Sequence, residues 1–368
     1  MALSIGITGL PNVGKSTLFN ALTKAQNAEA ANYPFCTIEP NKATVAVPDA
    51  RLGELTALVN PAKTVHAVVD FIDIAGLVRG ASKGEGLGNQ FLANIRETAA
   101  ILEVVRCFDD ENITHVEGDV NPIRDVEVIE TELLLADLQS VEKRLERTAR
   151  LAKGDKAMQA LRQDLETFAA AMNEGKSAAS IPQPDNDLFR QTMQEMGLLT
   201  TKRIIYCANI DEETLASGGE NEHTKALAAL AASRGAGFLV ICAKIEEEMQ
   251  GLSEADQADM LASYGIEESG LASVIRTGYS TLGLISYFTA GEKEVKAWTI
   301  PDGFKAPQAA GVIHSDFERG FIRAEVIAYD DYIRLRSEAA ARSAGLLRVE
   351  GKEYVVKDGD VMHFLFNV

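Results

Sequence analysis

Gly9-Leu10-Pro11-Asn12-Val13-Gly14-Lys15-Ser16 decides the fold: it is a complete G-x-x-x-x-G-K-[ST] loop set directly behind an apolar strand. Leu3, Ile5 and Ile7 supply that strand, and Thr17 to Leu22 read as the first turns of a helix. The context carries the chemistry, because consecutive backbone N–H groups must wrap a polyphosphate at a helix N-terminus. Gly9 and Gly14 permit a backbone and a close approach that a Cβ would block. Lys15 is placed to reach β- and γ-phosphates, and the Ser16 hydroxyl to take one position on Mg²⁺. Asn12, Val13, Gly14, Lys15, Ser16 and Thr17 are the expected cradle. Asn12 can also ligate a monovalent cation or simply satisfy the loop backbone.

The other parts of a nucleotide switch follow in order. Asp73-Ile74-Ala75-Gly76, a D-x-x-G, ends the third apolar strand. There Asp73 can hold Mg²⁺ through water while the Gly76 N–H meets the γ-phosphate. Alone the pattern is weak; one strand-and-loop unit after the phosphate loop it is strong. Between them, Thr37 in Phe35-Cys36-Thr37-Ile38-Glu39-Pro40 is the candidate to cap Mg²⁺ and order its loop in the triphosphate state. Gly80 to Gly88 holds four glycines in nine residues, so it cannot keep one conformation cheaply and reads as a mobile second switch.

Strand-like runs at Leu3–Thr8, Ala43–Val47, Ala67–Ile72, Ile101–Cys107, Arg203–Ala208 and Phe238–Cys242 alternate with helical or loop segments. That is the pattern of an α/β, mostly parallel sheet wound on both faces. The gap after the fourth strand is too long for one crossover helix. Leu134, Leu138, Val141, Leu145, Thr148 and Ala152 form one a/d stripe, and Met158, Leu161, Leu165, Phe168 and Met172 another, on either side of Gly154-Asp155. Two such stripes predict an inserted antiparallel helical hairpin. It closes in a loop, Ser177–Asp187, with Pro182 and Pro184. From about Ser280, short strands (Thr281–Phe288, Val295–Thr299, Arg323–Val326, Val361–Phe366) surround one helical stretch near Arg334–Ala344, a small α+β module. The expected domains are residues 1–130 with 200–279 for the nucleotide, 131–199 for the arm and 280–368 for the last module.

A chain of 368 residues is too long for one core. Its net charge of −18 argues against wholesale binding to nucleic acid. No apolar run is long enough to span a membrane. The first strand begins almost at Met1, leaving no room for a secretory signal, and Cys36, Cys107, Cys207 and Cys242 are scattered without metal-ligand spacing. A cytoplasmic, monomeric protein is expected. One local exception to the acidity stands out. Glu142 to Lys156 carries Lys143, Arg144, Arg147, Arg150, Lys153 and Lys156 against Glu142, Glu146 and Asp155. Lys143, Arg147, Arg150 and Lys153 recur at steps of four, three and three and share a helix face near the hairpin tip. The plainer reading is a solvated face with Glu146 pairing Arg150. The functional one is contact with RNA phosphates.

Base recognition is expected after the fifth strand, at Asn209-Ile210-Asp211-Glu212, with Cys242-Ala243-Lys244 after the sixth. These orders and spacings resemble a translation-factor-type GTPase domain. With G-x-P-N-V-G-K-S, the arm and the C-terminal module, the whole length resembles the YchF proteins, the Obg-like ATPase subfamily. The last module is similar to a TGS domain. The resemblance implies a P-loop NTPase that prefers ATP or accepts both purines, and that binds ribosomes.

The residues give their own reason to doubt guanine specificity. In N-K-x-D one aspartate accepts from both guanine donors. Here Ile210 stands at the lysine position and supplies no cation, though it can pack on a base face. Glu212, one methylene longer, stands at the aspartate position. A site without that paired contact loses most of its discrimination. A one-residue backbone shift would present Asp211 instead. For catalysis, Leu77 occupies the position where many GTPases place a water-orienting glutamine, and it makes no hydrogen bond. His115, in the acidic loop Asp109–Pro122 on the ligand side, is the best-placed substitute, and the resemblance implies such a role. A surface histidine is the bland alternative. His66, at a strand start, packs or caps at the opposite edge. Lys15, Gly76 and His115 are the catalytic candidates; Asn209, Ile210, Glu212 and Ala243 join the cradle as nucleotide contacts. The leading reading is an ATP-hydrolysing, Mg²⁺-dependent switch on the ribosome. The rivals are a GTP-specific GTPase of the same architecture and, because of Leu77, a nucleotide-bound interaction protein with negligible turnover.

Overall fold

A strand covered on both faces must be apolar along its whole length, not on alternate residues. β1 (Ser4–Thr8) is buried at every position. The computed structural model describes residues 4–29, 39, 41–74 and 87–367. After β1 come α1 (Lys15–Glu29), β2 (Lys42–Ala46), α2 (Ala50–Val59), β3 (Thr64–Val65), β4 (Val68–Asp73), α3 (Leu87–Glu97) and β5 (Ala100–Arg106). The middle of the chain forms α4 (Pro122–Leu151), α5 (Lys156–Asn173), α6 (Asp187–Met196), β6 (Arg203–Asn209), α7 (Glu212–Ala216), α8 (Glu222–Arg234), β7 (Gly237–Ile241), α9 (Ala243–Met249) and α10 (Glu254–Ser263). Then follow α11 (Gly270–Thr281), β8 (Leu284–Ala290), β9 (Val295–Pro301), α12 (Ala306–Ile313), α13 (Ser315–Arg319) and β10 (Phe321–Ala328). The last elements are α14 (Tyr329–Leu335), α15 (Glu338–Ser343), β11 (Arg348–Glu350) and β12 (Asp360–Phe366).

Contacts divide the chain into two units: Met1–Ala21 with Phe71–Gly270, and Leu22–Asp70 with Leu271–Val368. In the first unit the strand order is β4-β1-β5-β6-β7, β4 contributing its Phe71–Asp73 end. β1, β5, β6 and β7 run parallel, with Ile7 opposite Leu102, Val104 opposite Cys207 and Cys207 opposite Leu239. Parallel strands bring the loops after β1, β5, β6 and β7 to one edge, where open α/β sheets bind ligands.

The hairpin is present. α4 has 30 residues, about 45 Å at 1.5 Å per residue. It starts at a firm cap, Asn121 accepting from the Arg124 N–H with Pro122 in the first turn. Gly154, at φ 91°, turns the chain before α5. Val141, Leu161, Leu165, Phe168 and Met172 are buried between the helices, as their spacing requires. A third helix completes the packing: α6 seats Phe189 edge-on against Phe168, with ring centroids 5.5 Å apart.

The second unit contains a mixed sheet of order β11-β10-β12-β8-β9-β3. β8–β9, β10–β12 and β10–β11 are antiparallel, whereas β12–β8 and β3–β9 are parallel. Tyr287, Ile300, Phe321, Val326 and Phe364 form its core. Three details differ from the sequence reading. The helical stretch near Arg334–Ala344 is two helices, because Arg336 adopts φ 63° and ends α14. The strand expected from Thr281 starts at Leu284, α11 running on to Thr281 and Gly283 turning at φ 68°. Residues 22–70, which the sequence boundaries assigned to the nucleotide domain, group with the C-terminal residues through β3 on β9. There Arg51 also binds Asp358 at 2.7 Å. Among the described residues no helix is long and apolar enough to cross a membrane.

Candidate functional site

The phosphate loop joins β1 to α1, and its glycines are there for contact. A Cβ on Gly9 (φ 149°) would lie 2.4 Å from the Val104 carbonyl oxygen, and one on Gly14 (φ 100°) 2.2 Å from Asn209 Nδ2. Asn12 adopts φ 63° and donates from Nδ2 to the Thr114 carbonyl at 3.2 Å, joining this loop to the one after β5. Val13 is buried beneath the loop, whereas Ser16 and Asn12 are exposed and Thr17 half-buried. Lys15 is buried and donates to the Leu10 carbonyl at 2.5 Å. Burial pushes its pKa down to about 8, against the opposing pull of Asp73. Burial pushes Asp73 up, against the opposing pull of Lys15. Lys15 and Asp73 are thus electrostatic neighbours. Thr37, Gly76, Leu77 and residues 80–86 of the glycine-rich segment lie outside the described residues.

A cavity of about 820 Å³ opens along this edge, lined by the cradle, by Phe108, Asp109, Asp110 and Ile113, and by the loops after β6 and β7. Asn209 acts as a clip between the cradle and the far wall. Its Nδ2 donates to the Val13 carbonyl at 2.9 Å, and its Oδ1 accepts from the Ala243 N–H at 3.0 Å. Ile210 reaches the cavity lining, yet its side chain is only 2% exposed and packs with Leu227, Cys242 and Ile245 in the core. Asp211 is committed as the cap of α7, accepting from the Thr214 N–H at 2.8 Å. Glu212 pairs with Lys244 at 2.6 Å on the rim, and that hydrogen bond raises the Lys244 pKa.

His115 is buried, 7% exposed, and absent from the cavity lining. Its Nε2 lies 2.8 Å from Asp125 Oδ2 in the first turn of α4, and Nδ1 accepts from the Glu117 N–H at 3.2 Å. The Glu117 bond makes Nδ1 an acceptor and so places the proton on Nε2. Burial raises the Asp125 pKa, while His115 and Arg124 pull it back.

Sequence reasoning missed Phe108 and Arg106. Phe108 lines the cavity, and the Arg106 guanidinium lies 4.8 Å from its ring centroid. The available signal was an arginine closing a mostly apolar strand, at Val104-Val105-Arg106-Cys107-Phe108.

A family model described as "50S ribosome-binding GTPase" matches residues 4–137. Another, YchF-GTPase_C, described as "Protein of unknown function (DUF933)", matches residues 284–367. The chain is 53% identical to the "Ribosome-binding ATPase YchF" of Bacillus subtilis and 51% identical to that of Pasteurella multocida, covering 100% of each pair. It is similar to the solved Schizosaccharomyces pombe YchF GTPase, with TM-score 0.88, 39% identity, and coverage of 99% of this chain and 97% of that one.

Proposed function

Since the chain belongs to the YchF family, we propose that it is a P-loop nucleoside triphosphatase that prefers ATP and acts as a switch on the ribosome in the cytoplasm. The observation that carries the base preference is the wall after β6. A guanine reader needs a free carboxylate there, but Asp211 caps a helix, Glu212 is tied to Lys244 and Ile210 is buried. Parallel measurement of ATP, GTP, ADP and GDP affinities tests it, with ATP expected to bind at least as tightly as GTP. GTP binding about a hundredfold tighter, roughly 2.7 kcal/mol, would overturn the reading.

Binding of a triphosphate replaces the Leu10 carbonyl as the partner of Lys15, while the loop N–H groups and Ser16 close on the phosphates. Ser16 and Asp73, with Thr37 by its place in the sequence, would supply oxygen donors suited to Mg²⁺; Ser16 is exposed and Asp73 is an electrostatic neighbour of Lys15. A Mg²⁺ held there would supply charge neutralisation at the phosphates. By the D-x-x-G pattern the Gly76 N–H is the expected γ-phosphate contact. Basal turnover is slow, because Leu77 cannot hold water and His115 is occupied. Asp125 fixes the His115 tautomer, so Nδ1 is the atom able to accept from a water once the long Glu117 contact opens. The arm and the C-terminal TGS-like module make the ribosome contacts.

A further inference from the structure

Arg106 is 1% exposed and among the largest fully buried side chains of the protein. Among the described residues no carboxylate pairs with it. Its charge is instead spent on one loop. Nε donates to the Phe108 carbonyl at 3.0 Å, Nη1 to the Ile113 carbonyl at 2.8 Å and Nη2 to the Asp110 carbonyl at 3.1 Å. The guanidinium also faces the Phe108 ring. All three acceptors fall within the six residues Phe108–Ile113, the segment that walls the cavity.

Nothing about covering a sheet requires this. An apolar side chain would fill the space without the cost of burying a cation. What the guanidinium provides is a rigid planar fork that holds three carbonyls in fixed directions, which a lysine ammonium cannot reproduce. The loop has no strand or helix of its own beyond a turn, in which Asp110 accepts from the Asn112 N–H at 2.8 Å and from the Ile113 N–H at 3.2 Å. Other contacts hold the segment mainly at its ends: Asn221 donates to the Cys107 carbonyl at 2.7 Å, Asn12 to the Thr114 carbonyl at 3.2 Å, and His223 lies 3.7 Å from Asp109. Without Arg106 the middle of the wall would lose three of its hydrogen bonds, and ordering it on binding would cost affinity.

We propose that Arg106 is a positioning residue for nucleotide binding: it preforms the Phe108–Ile113 wall against the nucleoside half of the ligand, and not against its phosphates. This rests on the reading of the cavity as a nucleoside triphosphate site. The test is calorimetric titration of the full-length protein with ATP and with inorganic tripolyphosphate, both with Mg²⁺, for wild type, Arg106→Lys, Arg106→Met and Phe108→Ala. Both Arg106 variants should bind ATP about tenfold more weakly and tripolyphosphate with nearly wild-type affinity. Their KM for ATP should rise while kcat at saturation holds. Phe108→Ala should add little to Arg106→Lys, because the two act through one wall. Should Arg106→Met fail to fold, the lysine variant and its cycle with Phe108→Ala decide. Equal loss for both ligands would make Arg106 merely structural, and unchanged ATP affinity in folded Arg106→Lys would also refute the inference. Wild type that binds tripolyphosphate but no nucleoside triphosphate would instead remove the nucleotide reading beneath it.

Discussion

Lys15 carries the sharpest electrostatic signature in the cradle. Free in water its ammonium titrates near 10.5; buried in the unliganded protein it titrates near 8. Between those values the unfolded chain keeps a proton that the folded one has lost, so the unliganded protein gains stability as pH rises through that window. Binding has the opposite sign. Phosphate oxygens need the charged form, so ATP affinity should fall above pH 8, by up to about tenfold per pH unit. Titrations from pH 7 to 9.5 check this, and a flat profile would remove Lys15 burial from the binding energetics. For His115 the expectation concerns rate. His115→Ala should lower turnover at saturating ATP by about 100-fold, the scale of a lost general base, with affinity within about twofold. Unaltered turnover would reduce His115 to an anchor between its loop and α4. Residue identities in the cradle were legible because each has one chemical job. The reason Gly14 must lack a side chain was not, since it is the Asn209 carboxamide, almost 200 positions away, that lies against it.

At the scale of elements, periodicity served well wherever burial was regular. The strands of the nucleotide sheet begin and end within a residue of their apolar runs, and both hairpin stripes pack into one core, with Leu134, Leu138, Leu145 and Met158 only partly buried. α6 was harder, though its caps, Asn186 and Gly197 at φ 56°, were in plain view. It is short, and the prolines before it read as a loop. The arm offers a test of its own. Lys143, Arg147, Arg150 and Lys153 are exposed, and among the described residues no carboxylate, Glu146 included, lies within salt-bridge distance of them. Leu151 stands 63% exposed among them at the end of α4. Contact with RNA phosphates through these side chains releases counterions, so ribosome co-sedimentation should weaken steeply with salt. Changing all four to Glu should reduce binding about tenfold or more at low salt. Binding that survives the change intact would exclude the arm as the docking element.

For the molecule as a whole, the site was more legible than the partition of the chain. Motifs in the loops after β1 and β6 belong to one sheet edge, and parallel topology alone brings them together. Nothing comparable announces that Thr64 and Val65 pair with Val295 and Lys296. Two residues are too few for a pattern, and the pairing spans most of the sequence. The Arg51–Asp358 bond is equally remote and equally silent. That long-range pairing also sets a clock. A chain made from its N-terminus finishes β3 some 230 residues before β9 exists, an interval on the order of 10–50 s at typical synthesis rates. Throughout it, α2 and β3 have been translated but have no sheet to join, so this protein spends that part of its own manufacture with a segment waiting at the ribosome for the last quarter of its message.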